Sequence, residues 1–189
     1  MIQRIQSIYL LLVIVALLTI TFGANFFSYK IDKQDNIDLT IKLNVFGIQA
    51  DGEFQNLNPE DEKKINQFLK LKERSSKITS SPVVSFPFYL IAIFLILLSI
   101  ATLLSFKKLE TQQKLGRINF VAILTSFIFV IIIFYASRSQ VRNAIEDIEF
   151  SSRLGLSFYA MIVATAFAFL ANIGIKRDLD LIKSIDRIR

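Results

Sequence analysis

Two groups of side chains in this sequence have types and spacings that could do chemistry. Glu60, Asp61 and Glu62 form one run of carboxylates, and Glu146, Asp147 and Glu149 form another. Oxygen donors at that density could hold a hard cation. Each run also has a plainer origin. The first follows Asn58 and Pro59, so it loads the opening turn of a helix with charge that suits the positive end of the helix dipole. The second sits in a short polar loop between apolar stretches. The 189 residues include no Cys and no His, so a thiolate nucleophile, a dithiol redox pair, an imidazole base and an imidazole or thiolate metal site are all excluded. No phosphate-binding loop, dinucleotide fingerprint or nucleophile elbow occurs either. The expectation is a protein that is not an enzyme and uses no cofactor and no metal.

The elements that must position these residues are dominated by hydrophobicity. Hydrophobic residues make up 53% of the chain, with 18 Phe and no Trp. Residues 8–27, 83–106, 118–137 and 154–175 contain no Asp, Glu, Lys or Arg, and each has the 20 or so residues that a helix needs to cross a hydrocarbon core. One charge at the centre of such a helix costs about 2.5 to 3.5 kcal/mol. Four uncharged runs between charged segments therefore predict four transmembrane helices. The first run exceeds the 7 to 15 residues of a secretory signal core, and TFGAN lacks a small-residue cleavage pattern, so it reads as retained.

The net charge of +6 is unevenly placed. Residues 29–82 hold nine basic and nine acidic residues, and residues 138–153 hold three of each. Arg4 contributes +1, residues 107–117 contribute +3 and residues 176–189 contribute +2, which is the whole excess. Four spans put those three segments on one side, and a basic excess in short flanks marks that side as cytoplasmic. The expected location is the bacterial inner membrane with both termini inside. The positive charge then answers anionic membrane lipids, not nucleic acid.

Outside the membrane, residues 27–46 alternate apolar and polar in two runs separated by KQDN, the pattern of a β-hairpin ending near Gly47. Residues 58–75 follow as a helix with Asn58 as N-cap and Ile65, Phe68, Leu69 and Lys72 on one face. Segment 28–82 is thus an external α+β cap, 107–117 a short cytoplasmic loop, 138–153 an external loop and 176–189 a cytoplasmic tail. In the tail Leu181, Ile185 and Ile188 recur at spacings of four and three, which predicts an amphipathic helix on the inner leaflet or against a partner. The expected fold class is all-α membrane, a four-transmembrane-helix bundle with a small external β-hairpin plus helix cap and a cytoplasmic amphipathic C-terminal helix.

In the fourth run Ala160, Ala164 and Ala168 recur every four residues with Ser157 and Ala171 alongside. A stripe of small residues lets a second helix approach closely and is read as a packing face. Asn119 and Asn172 lie near the cytoplasmic ends of the third and fourth runs, where an amide pair between helices could form.

Met1, Ile2, Gln3, Arg4, Ile5, Gln6, Tyr9 and Leu10, taken with Leu170, Ala171, Asn172, Ile175, Asp178, Leu181, Ser184, Asp186, Arg187 and Arg189, resemble the terminal signatures of a family of four-span inner-membrane proteins of Bacteroidota, known as domain of unknown function 4293. The resemblance extends to the order of the spans and the length. One departure is Ile173, where the family's tail carries a basic residue. The family has no established activity, so the resemblance implies topology and no reaction. Because its recognisable residues fall in two termini on one membrane face, it directs attention to a surface built from Gln3, Arg4, Gln6, Asn172, Asp178, Asp186 and Arg187, in which Arg4 could pair with Asp178 or Asp186. The expected function is that of a non-enzymatic accessory or scaffold protein with a protein partner at its cytoplasmic face; the alternative is a small transporter, channel or lipid-handling protein.

Overall fold

Residues 3–21 contain neither Gly nor Pro, and they form helix α1 (Gln3–Thr21). The helix closes when the Phe22 N–H donates to the Leu18 carbonyl, and Gly23 follows. The computed structural model describes residues 3–33, 37–54, 88–144 and 150–186. After α1 come strands β1 (Phe27–Lys33), β2 (Ile37–Asn44) and β3 (Gly47–Phe54), helix α2 (Phe88–Leu104), a single 3-10 turn (Ser105–Lys107), helix α3 (Leu109–Ala144), strand β4 (Phe150–Leu154) and helix α4 (Leu156–Asp186). These elements build two compact units, one of Met1–Phe22, Tyr89–Phe129 and Tyr159–Arg189, the other of Gly23–Phe88 and Val130–Phe158.

The helical unit is apolar on its outside. On α1, Ile5, Ile8, Leu11, Val15 and Leu18 are exposed, as is Phe22 just after it, and α2 exposes Leu90, Ile93, Phe94 and Leu97. Its buried positions include Gln6, Ser99, Thr102, Gln112, Asn119, Ser126 and Asp178. A water-soluble protein does not turn so much large apolar surface outward. Hydroxyls of Thr19, Thr102, Ser126 and Thr165 bond back to carbonyls three or four residues earlier, which satisfies them without help from water. By length and composition three helical segments can cross a membrane: Phe88–Lys107, Leu109–Ser139 and Leu156–Ser184. The apolar part of α1, Ile5–Thr21, is shorter. Residues 22–27, expected within the first span, instead turn at Gly23 and enter β1.

The second unit is a four-stranded antiparallel sheet in the order β3-β2-β1-β4 with the ends of helices that join it. The expected hairpin is there: Phe27 pairs with Leu43, Tyr29 with Ile41 and Lys33 with Ile37. Phe27, Tyr29, Ile41 and Leu43 are buried, while Ser28, Lys30 and Lys42 are half-exposed, which accounts for the alternation. The buried face packs on α3, with Phe27 and Phe134 ring centroids 4.6 Å apart and the Tyr29 hydroxyl 2.8 Å from Ser137 Oγ. Burial raises the Tyr29 phenol above its usual range, against the lowering effects of the Ser137 hydrogen bond and the Arg138 charge.

Four expectations change. The fold is mostly helical but not all-α: β3 and β4 extend the hairpin into a sheet, the second contributed from 150–154. Residues 109–117 of the expected loop 107–117 are helix, so the α2–α3 connection shrinks to the turn at 105–108. Segment 138–153 holds the end of α3 and most of β4. The tail does not begin a helix of its own: α4 continues unbroken to Asp186, because residues 176–186 contain no Gly or Pro to end it. The helix expected over residues 58–75 lies outside the described residues.

Candidate functional site

Of the residues singled out at the two termini, Gln6 and Asp178 meet in the helical unit, where α1 and α4 touch. Buried positions on α1 follow the helical repeat from Gln6 through Leu10, Val13, Leu17 and Ile20. On α4 they run through Met161, Ala164, Ala168, Ala171, Ile175 and Asp178. Spacings of three and four put each set on one face. Gln6 and Asp178 therefore arrive as the polar ends of two otherwise apolar seams.

Gln6 Nε2 donates to Asp178 Oδ2, and both residues are buried, 2% and 5% exposed. Gly174 makes the approach feasible: a Cβ there would lie 3.0 Å from Gln6 Cγ, closer than a side chain tolerates without shifting. Asp178 Oδ1 is buried and accepts no hydrogen bond among the described residues. An unsatisfied buried acceptor costs about 1 to 3 kcal/mol, so this carboxylate is held only partly satisfied.

Asn172 and Asn119 do not form the expected amide pair. The Ser99 hydroxyl lies 3.1 Å from Asn119 Oδ1 and 2.8 Å from the Leu95 carbonyl, sharing its proton between them. This link ties α2 to α3 instead. Asn172 Oδ1 is a second buried acceptor with no donor among the described residues. It approaches Gly116 on α3, where a Cβ would lie 3.7 Å from it and 3.1 Å from Ile175 Cδ1. Asn172 and Asp178 are six residues apart, about 120° around α4, so they address α3 and α1 separately. The side chains of Gln3, Arg4 and Asp186, and all of Arg187, fall outside the described residues. The pairing of Arg4 with Asp178 or Asp186 falls there with them.

In the small-residue stripe Ala164, Ala168 and Ala171 are buried at 0%, 2% and 1% exposure and Ala160 is half-buried. Ser157 is buried in the sheet unit, where its hydroxyl donates to the Ala24 carbonyl at 2.6 Å and its N–H to the Asn25 carbonyl at 3.1 Å. It satisfies the start of α4, a role that the spacing of small residues did not suggest. Ser99 and Gln112 are buried polar groups missed from the sequence; their signal is a polar residue on the inward stripe of an otherwise apolar helix. No three carboxylates gather among the described residues, and both acidic runs, 60–62 and 146–149, lie outside them.

A search of curated proteins finds no match. A family model described as a domain of unknown function (DUF4293) matches residues 2–188, a range that takes in both terminal segments and everything between them. The terminal resemblance thus extends over nearly the whole chain, and the protein belongs to the DUF4293 family.

Proposed function

We propose that this protein is a four-span protein of the bacterial inner membrane, with both termini in the cytoplasm, that acts without catalysis as an accessory or scaffold through the surface its termini share. Support for α1 as the fourth span comes from its outward stripe of Ile5, Ile8, Leu11, Val15 and Leu18, which suits lipid. At about 26 Å, its 17-residue apolar segment Ile5–Thr21 is at the lower end of what can cross. Exposed Phe22, Tyr89 and Tyr159 sit at the ends of α1, α2 and α4 that this topology puts at the outer headgroups, where aromatic rings are favoured.

The observation that carries the scaffold reading is the buried Gln6–Asp178 hydrogen bond. It locks the beginning of the chain to its last helix at one level and leaves Leu181 and Ile182 just beyond, 45% and 42% exposed. A rigid polar junction beside exposed aliphatic residues, with no thiol or imidazole in the chain, suits protein binding better than turnover. A photo-crosslinking residue at Leu181 tests this in intact cells. The expected result is one discrete protein adduct that is absent when the probe is moved to Leu11 on the lipid-facing stripe. Lipid adducts alone at position 181 would refute it.

A further inference from the structure

Arg117 on α3 and Lys176 on α4 are the first charges met on leaving the uncharged runs 118–137 and 154–175. Contacts within the helical unit fix them on a common outward seam. Gly116 approaches Ile175 and Asn172, which sets the two helices level at Arg117 and Lys176. Toward the chain termini, Lys183 Nζ lies 3.9 Å from Glu110 Oε1. On the apolar side, Phe120 and Phe169 bring their ring centroids within 5.5 Å. Arg117 is seven residues from Glu110 and three from Phe120, while Lys176 is seven from Lys183 and seven from Phe169. Such steps return to nearly the same face of a helix. Both cations are exposed, and neither makes a salt bridge among the described residues, whereas Lys183 already has its carboxylate.

We infer that Arg117 and Lys176 clamp the phosphate of an anionic phospholipid of the inner leaflet, with its acyl chains lying along Phe120 and Phe169. The inference rests on the membrane-spanning reading above. Two cations from adjacent helices, bounded by an ion pair on the watery side and a tilted pair of rings on the oily side, match the order of charge and hydrocarbon in such a lipid. Arginine supplies a planar fork for phosphate oxygens and lysine a point charge. Basic pockets between helices at the cytoplasmic face recognise anionic headgroups in this way.

Native mass spectrometry of the full-length protein in mild detergent, titrated with phosphatidylglycerol, phosphatidylcholine or soluble glycerol phosphate, tests the site. Wild type should bind phosphatidylglycerol in preference to phosphatidylcholine. Arg117→Gln with Lys176→Gln should weaken phosphatidylglycerol binding on the order of 30-fold, which is about 1 kcal/mol per basic residue. Lys176→Gln alone should give an intermediate loss. Arg177→Gln, one helical step off the seam, should leave binding unchanged. Equal binding of the two lipids by wild type, undiminished binding by the double variant, or equally tight binding of glycerol phosphate would each overturn the inference. A carbonate wash of native membranes separates the two readings. Release of the protein defeats the membrane-spanning reading, whereas a retained protein without lipid preference defeats the headgroup site alone.

Discussion

Removing the Gln6 side chain is the sharpest probe of the junction between the termini. Asp178 is 5% exposed, and the Gln6 amide is its hydrogen-bond donor among the described residues, with Oδ1 already unpaired. A hydrogen bond to a charged group contributes about 1.5 to 3 kcal/mol. Gln6→Ala removes it, strands the second carboxylate oxygen and opens a small void, so the expected loss is about 3 kcal/mol, toward the range for breaking a buried polar pair. Asp178→Ala should cost less, because an orphaned neutral amide is cheaper to bury than an orphaned carboxylate. The double variant should then recover about 1.5 kcal/mol or more relative to the sum of the single changes. Reversible unfolding in mixed micelles, followed by far-ultraviolet circular dichroism for all four proteins, gives the cycle. A coupling energy below about 0.5 kcal/mol, the scatter expected of independent sites, would refute the junction as a structural unit.

Gly155→Ala should destabilise the sheet unit by about 3 kcal/mol. Its Cβ would fall 2.0 Å from the Asn25 carbonyl oxygen and break the bonds that Gly155 and Ser157 donate to Phe26 and Asn25; a midpoint shift no larger than that of Gly174→Ala, which meets only the flexible Gln6 side chain, would contradict this. The raised Tyr29 pKa makes stability depend on alkaline pH. The folded state holds the phenolic proton more tightly, so stability is level below about pH 10 and falls as pH rises through the range between the unfolded and folded values. Melting from pH 9 to pH 11 should show this fall, and Tyr29→Phe should reduce it. A Cys in place of Lys42, in a chain with no other Cys, should be labelled by a membrane-impermeant maleimide added to intact spheroplasts; labelling only after lysis would reverse the proposed orientation.

Much of the architecture was legible because it follows from local pattern. The uncharged runs, the β1–β2 hairpin and the small-residue stripe need only periodicities of 3.6 and 2 and the cost of charge in hydrocarbon. Strand β4 was not legible, since its pairing of Phe27 with Leu154 and Ile31 with Phe150 joins segments over a hundred residues apart, and FSSRL alone is too short and polar to signal a strand. The helix in residues 109–117 was hidden by its charge, which reads as a loop when only the apolar part of a long helix is recognised.

At the site, the sequence alone directed attention to Gln6 and Asp178, through the family resemblance of its two termini. It also determined which chemistry is excluded, since imidazole and thiol cannot be supplied by folding. Only the tertiary structure decided the partners. Asn119 pairs with Ser99 and not with Asn172, Gln6 reaches Asp178 across Gly174, and Arg117 comes level with Lys176, because helix register is set by the shapes packed between helices, which no single segment contains.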